Sequence, residues 1–330
     1  MSEFVIIIII IILAWTYDFF NGMNDCANAI ATSVSTKALP PLSAVALSAT
    51  MNIAGALITT RVAKTIGKGI VNPSIIGPLV VISALIGAVI WVAFCTYSGI
   101  PISITHSLVG GIMGAVIVSH GFSALKMAGL KKVFYAMLLS PIAGFTVGFI
   151  IMIIMIRISQ NAVPNKANKI FRSLQIISAS FMAFSHGSND AQNAMGIITM
   201  GLVVEGFIST FHVPIWVILG SAFFIGLGTF IGGWRVIRTM GQRMVKLEPV
   251  HGFSAETSSA AVIIFNSFIG APISTTHIIS TAIMGVGSTR KFSAVKWGVV
   301  FHIVLTWIFT IPGAAFLSAL SYFLIDFWVG

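Results

Sequence analysis

The stretch Asn21-Gly22-Met23-Asn24-Asp25-Cys26-Ala27-Asn28-Ala29 returns far along the chain as His186-Gly187-Ser188-Asn189-Asp190-Ala191-Gln192-Asn193-Ala194. Gly, Asn, Asp, Asn and Ala keep identical offsets in the two copies, and each copy interrupts an otherwise apolar run. A carboxylate set in apolar sequence is expensive and points to function. Two copies at matched places indicate a duplicated membrane protein whose site is assembled from both halves.

The duplication extends beyond this motif. Arg61-Val62-Ala63-Lys64-Thr65-Ile66-Gly67 pairs with Arg235-Val236-Ile237-Arg238-Thr239-Met240-Gly241. Gly99-Ile100-Pro101-Ile102-Ser103-Ile104-Thr105-His106 pairs with Gly270-Ala271-Pro272-Ile273-Ser274-Thr275-Thr276-His277, and Pro141 with Pro312. The order is the same in both halves and the spacing is nearly constant. Residues 1–157 form a first membrane repeat and 174–330 a second. The short basic stretch 158–173, with Pro164, is the linker between them.

Apolar residues make up 57% of the chain and charged residues 8%, with a mean hydropathy of +1.02. Soluble domains carry roughly 25% charged residues. A lipid bilayer accepts that much apolar surface and a water-facing shell does not. The expected fold is therefore all-α, a polytopic integral membrane protein. The net charge of +10 lies in short basic groups between apolar runs, the pattern of inter-helix loops, so no nucleic-acid partner is expected. Cys26 and Cys95 fall within apolar segments and read as small buried residues. The N-terminal run lacks a basic n-region and reads as a first membrane segment, not a removed signal.

The apolar runs before the two motifs, Phe4–Tyr17 and Leu174–Phe184, are each shorter than the roughly 20 residues that a span needs. The motifs are thus expected at membrane depth, with Gly22 and Gly187 letting the backbone leave the helix there. Carbonyls of such broken helices, beside Asp and Asn oxygens, suit a small cation. Asn24, Asp25 and Asn28 with Asn189, Asp190 and Asn193 are the cation-binding candidates, sodium at Asp25 and Asp190 included. Helix capping by the carboxylates and interhelical bonding by the amides are the plainer alternatives.

The Gly-x-Pro-Ile-Ser-x-Thr-His copies predict a turn followed by Pro at the first helical position. The short Gly-rich apolar stretch after each predicts a re-entrant hairpin, two in all. A helix N-terminus with free N–H groups and hydroxyls is a ready anion site. Ser103, Thr105, Ser274, Thr275 and Thr276 are the candidate donors, with ordinary capping as the alternative. His106 and His277 would contact the anion, relay a proton or bond a carbonyl. Glu256 would take a proton, ligate a cation or cap a helix. Asp18, Glu205, Glu248 and Asp326 are expected at interfacial ends. For Arg61 and Arg235 loop charge is a simpler reading than an anion gate.

These paired Gly-x-Asn-Asp-x-x-Asn-Ala and Pro-Ile-Ser-x-Thr-His motifs resemble the inorganic phosphate transporter (PiT) family. The resemblance implies a symporter of inorganic phosphate coupled to sodium or protons, with no enzymatic activity and no cofactor. It also implies two inverted repeats, a homodimer and a multi-pass location in the plasma membrane. The family's motif positions fall on Asn24, Asp25, Asn28, Asn189, Asp190 and Asn193, and its hairpin positions on Ser103, Thr105, Ser274 and Thr276. Unlike some relatives, the chain lacks a large hydrophilic insert between its halves. The second copy reads Ala191-Gln192 where the first reads Cys26-Ala27, which makes Gln192 a candidate for an asymmetric phosphate contact. Inverted repeats put Arg61–Lys68 and Arg235–Lys246 on opposite faces, whereas the positive-inside rule wants both in the cytoplasm. Either one group lies in the interface, or the number of spans differs.

A sulfate permease of the same fold is the close alternative, since both anions are tetrahedral. An anion channel would show flux without concentration. A membrane hydrolase built on Ser, His and Asp fits poorly, because both halves repeat every participant.

Overall fold

The computed structural model describes residues 2–329. Among them the chain is helical, with short 3-10 and π turns and no β-strand. The first half holds α1 (Glu3–Ser35), α2 (Pro41–Ala56), α3 (Arg61–Lys64), α4 (Pro78–Ser98), α5 (Ile104–His120) and α6 (Met127–Ser159). The second holds α7 (Pro164–Asp190), α8 (Gln192–Val204), α9 (Ile215–Ile231), α10 (Trp234–Arg238), α11 (Pro249–Ile269), α12 (Thr275–Ser288) and α13 (Trp297–Val329). The stretch 158–173 is mostly helical, because Pro164 starts α7 with the φ that a first turn requires.

α1, α4, α6 and α13 are each long and apolar enough to cross a bilayer. Two bent pairs, α2 with 61–69 and α9 with 234–243, pass the same test and turn by 64° and 61°. Large apolar side chains such as Leu138, Ile142, Phe223, Phe309 and Phe323 stay exposed, a surface that suits acyl chains. The molecule is a multi-pass membrane protein.

The expected unwinding at Gly22 and Gly187 does not occur. α1 runs helical through Asn21–Ala29, and only Ala191, itself at φ −60 and ψ −22, separates α7 from α8. Helical pairing satisfies backbone groups that unwinding would orphan at depth. Small size explains these glycines instead. A Cβ at Gly22 would lie 2.1 Å from the Ile225 carbonyl oxygen, and one at Gly187 would lie 2.1 Å from that of Asn52. The breaks fall elsewhere, between α2 and α3 and at Gly232–Gly233.

Corresponding elements pack reciprocally. α1 lies on α9 while α7 lies on α2, and α5 lies on α13 while α12 lies on α6. Such exchange of partners is what a two-fold relation between two units produces.

The α4–α5 and α11–α12 pairs turn at Gly99 and Gly270, with φ of 73° and 68°. α5 and α12 have 17 and 14 residues, about 25 and 21 Å, less than the roughly 30 Å hydrocarbon core. Pro101 and Pro272 are not first helical residues as the motif suggested. Ser103 and Ser274 take the cap positions in extended conformation, so helix begins at Ile104 and Thr275.

Candidate functional site

The two Asn-Asp motifs meet the two hairpin turns in one buried cluster. Asn24 Nδ2 donates to Thr96 Oγ1 at 3.0 Å and to the Ile100 carbonyl at 3.3 Å. Its counterpart Asn189 donates to Ser267 Oγ at 3.2 Å and to the Ala271 carbonyl at 3.3 Å. These bonds tie each motif to the hairpin of its own half. The later asparagines reach across: Asn28 Nδ2 donates to Thr276 Oγ1 at 3.1 Å and Thr275 Oγ1 at 3.3 Å, and Asn193 Nδ2 to Thr105 Oγ1 at 3.0 Å.

With the amide nitrogens engaged, Oδ1 of Asn24, Asn28, Asn189 and Asn193 is left buried without a hydrogen-bond partner among the described residues, as is Oδ1 of Asp190. Buried acceptors are seldom left so. Carbonyl and carboxylate oxygens gathered in one place are the ligands hard cations prefer.

Asp25 and Asp190 come together around His186 and Thr275. His186 Nε2 lies 3.5 Å from Asp25 Oδ2 and 3.4 Å from Asp190 Oδ2. Its Nδ1 lies 2.9 Å from Asn52 Oδ1 and is the donor there, because that oxygen only accepts. Thr275 Oγ1 lies 3.2 Å from Asp25 Oδ2 and 3.2 Å from Asp190 Oδ2. A hydroxyl has one hydrogen, so Thr275 serves one carboxylate fully at a time. Thr276 Oγ1 donates to Asp25 Oδ1 at 2.9 Å. Ligand atoms of Asp25, His186 and Asp190 all lie within 4.8 Å of one another, close enough to share an ion.

Ser103 and Ser274 act as caps, accepting from the backbone N–H of His106 at 3.3 Å and of His277 at 3.1 Å. The first-turn amides around Thr105, Thr275 and Thr276 have no intrahelical acceptor, so both helix starts aim positive ends into the cluster.

Other expected residues are placed apart from these bonds. Gln192 Oε1 accepts from the backbone N–H of Val62 at 2.8 Å and of Ala63 at 3.1 Å, and its Nε2 donates to the Ser188 carbonyl at 2.5 Å. Its amide oxygen thus caps the start of α3. Glu256 accepts from Thr32 at 2.5 Å, Ser33 at 2.7 Å, Gln175 at 3.2 Å and from Ser178. The His106 and His277 rings meet edge to face with centroids 5.1 Å apart, and His277 lies tilted over Trp307 at 3.9 Å. None of their ring nitrogens has a partner among the described residues.

Sequence reasoning missed His186 and Asn52 as members of the site. The first was legible, since it precedes Gly187 as Asn21 precedes Gly22. The second lies in an apolar segment, and only packing brings it in. Reasoning also missed the work of the repeat-related arginines. Arg61 Nη1 donates to the Phe268 carbonyl at 2.6 Å and Arg235 Nη1 to that of Tyr97 at 2.5 Å. Thr65 and Thr239 add bonds to the Gly270 and Gly99 carbonyls at 2.8 and 3.0 Å. Each bent segment therefore holds the hairpin turn of the opposite half.

The family model described as "Phosphate transporter family" matches residues 21–318. A "Probable low-affinity inorganic phosphate transporter" of Bacillus subtilis (strain 168) is 45% identical over 98% of this chain and 98% of its own length. A protein of the same description from Rhizobium meliloti (strain 1021) is 42% identical over 98% of this chain and 97% of its own. Among solved structures, "The sodium-dependent phosphate transporter" superposes with a TM-score of 0.89 at 26% identity, covering 98% of this chain and 99% of that one. With a match that takes in both Asn-Asp motifs and both hairpins, the chain belongs to the phosphate transporter family.

Proposed function

We propose that the chain is a secondary symporter that carries inorganic phosphate together with sodium, by alternating access about the cluster at Asp25 and Asp190. The observation that carries this reading is the set of buried, unpartnered oxygens on Asn24, Asn28, Asn189, Asn193 and Asp190. They stand beside two helix starts rich in donors, so cation ligands and anion ligands share one place.

Charge sets the order of events. Phosphate at −1 to −2 does not approach two bare carboxylates, so cations enter first. A cation on the Asp25 and Asp190 oxygens displaces the hydroxyl hydrogens of Thr275 and Thr276. Those hydrogens, that of Thr105 and the first-turn amides of α5 and α12 then turn to the phosphate. Coupling follows, because the same hydroxyls cannot serve carboxylate and phosphate at once. Asn24, Asp25, Asn28, Asn189, Asp190, Asn193, Thr105, Thr275 and Thr276 are at most 1% exposed, so release to either side needs movement of the surrounding helices.

The reciprocal packing supports inverted repeats rocking about this centre, with α4–α5 and α11–α12 as re-entrant hairpins. A homodimer in the plasma membrane completes the proposal, with native mass spectrometry of purified protein as its test. The decisive experiment measures labelled phosphate uptake into proteoliposomes under imposed sodium or proton gradients, with sulfate as competitor. Concentrative uptake that sulfate does not inhibit is expected. Flux without concentration would make the protein a channel, and full competition by sulfate would make it a general oxyanion carrier.

A further inference from the structure

Asp18, Asn21, Asp25, Asn28 and Thr32 follow one another on α1 at steps of three and four residues. Such steps place them on one helix face, as a polar stripe about 21 Å long. Its middle is the cluster described above. At one end Thr32 donates to Glu256 at 2.5 Å. The other end is Asp18, expected at an interface because the apolar run stops there. It lies instead fully buried, inside a helix that continues to Ser35.

Among the described residues no close, well-aligned donor reaches either carboxylate oxygen of Asp18, and no Lys or Arg pairs with it. Ser221 of α9 turns its buried hydroxyl toward the Asp18 carboxyl, and Oδ1 of Asn21, one turn along, has no partner among the described residues. Asn21 Nδ2 in turn reaches the Asp190 carbonyl at 3.4 Å.

The titratable groups around Asp18 are Tyr17 beside it, Asp25 two turns along, and His186 and Asp190 on α7. α4 carries Cys95 and Tyr97, the latter packed on Phe20. α2, α8 and α9, which also pack on α1, carry no titratable side chain.

A bare carboxylate in this setting costs several kcal/mol, so something positive accompanies it. A hard cation takes about six oxygens, and the side chains here supply far fewer. A proton needs only one, and it converts Asp18 into a donor for Ser221 Oγ or Asn21 Oδ1. We propose that Asp18 is a proton-binding site of the transport cycle, connected to the phosphate cluster through Asn21. The proton bonds to a carboxylate oxygen of Asp18 from water on one side and leaves that oxygen to water on the other. No other bond changes. The second half has no equivalent, since Ala183 stands seven residues before Asp190 as Asp18 stands before Asp25.

This inference rests on the symport reading. Its test compares wild type with Asp18→Asn in proteoliposomes at a fixed sodium gradient, with and without an imposed pH difference. One pH unit multiplies phosphate accumulation about tenfold for each coupled proton. Phosphate's own protonation acts equally on both proteins and cancels in the comparison. Wild type should show an extra factor of about ten that Asp18→Asn lacks, while the variant still exchanges phosphate for phosphate. An undiminished pH factor in the variant would overturn the proposal, and so would loss of both accumulation and exchange in a monodisperse protein.

Should Asp18→Asn fail to fold, Asp18→Glu keeps the acid. It should retain the extra factor with a displaced pH profile of uptake, and an unmoved profile would count against the site. Infrared spectra provide a readout independent of transport: a neutral carboxylic acid band in wild type that Asp18→Glu shifts. Absence of that band overturns the proton site. Wild type that accumulates no phosphate under either gradient defeats the symport reading whatever the band shows.

Discussion

Asn193 donates to Thr105 across the interface between the halves at 3.0 Å, and each leaves one face of the bond open to a ligand. Among the described residues, Oδ1 of Asn193 has no partner and the Thr105 hydroxyl accepts here without donating elsewhere. Asn28 and Thr276 repeat the amide-to-hydroxyl bond from the other half at 3.1 Å, but there the Thr276 hydroxyl also donates to Asp25 at 2.9 Å. One residue pair thus presents a cation ligand and an anion donor on adjacent atoms.

Asn28→Ala and Asn193→Ala should therefore weaken the cation before they weaken the fold. Each removes one oxygen ligand, and Asn193→Ala removes one hydrogen bond where Asn28→Ala removes two, each worth about 1 kcal/mol net. Apparent sodium affinity in phosphate uptake should fall about tenfold, or about 1.4 kcal/mol. The two variants should resemble each other because their bonds are reciprocal. Sodium dependence like that of wild type in both would remove these oxygens from the cation site.

Asp25→Asn and Asp190→Asn keep the shape of the cluster and remove one charge each. Gradient-driven accumulation should be abolished in both while the purified proteins stay monodisperse. Near-normal accumulation in either would mean that its carboxylate is structural.

Thr275 is where the halves differ within the cluster, since Ile104 holds the matching place in the first hairpin. Thr275→Val removes the hydroxyl that lies 3.2 Å from both Asp25 and Asp190 and keeps the branched shape. Apparent affinities for sodium and phosphate should fall together, several-fold each, because one hydrogen links the two. A change in only one would separate the sites.

Gly187→Ala should act through packing. The new Cβ would lie 2.1 Å from the Asn52 carbonyl oxygen, and Asn52 holds His186. Overpacking of this kind costs about 1–3 kcal/mol, so the melting temperature in detergent should drop and uptake with it. Gly298→Ala is the control, because nothing lies within 4 Å of its added carbon. Equal melting temperatures for the two variants would contradict the close helix contact.

The membrane class and the doubled motifs were legible because hydropathy and repetition are written along the chain. The helix course through Asn21–Ala29 was not. Gly22 looked like a breaker, and only the neighbouring Ile225 carbonyl shows that it is a contact point. The cap that Gln192 makes was hidden for a similar reason: its side-chain oxygen accepts from Val62 and Ala63, about 130 positions away. Asp18 could have been found. Its step of seven from Asp25 is a helical repeat, but an apolar-run count treats the first polar residue as an end.

Arg61 and Arg235 were read as loop charge and are latches. Each exposed guanidinium donates to a last-turn carbonyl of a hairpin's first helix, where a cation also meets the negative end of the helix. Each such contact is worth about 0.3–1 kcal/mol at an exposed site, weak enough to open during a cycle. Because Arg61 holds the α11–α12 turn and Arg235 the α4–α5 turn, the proposed rocking would break one latch as it frees one hairpin. Arg61→Ala should therefore favour release of the second hairpin and Arg235→Ala that of the first. Single cysteines at Ser98 and Ile269, tested by thiol labelling, should report this: Arg235→Ala raises labelling at 98 and Arg61→Ala at 269. Arg61→Lys should restore it only partly, since an ammonium lacks the planar fork that reaches the carbonyl. Equal labelling at both positions in both alanine variants would show that the arginines only decorate the surface.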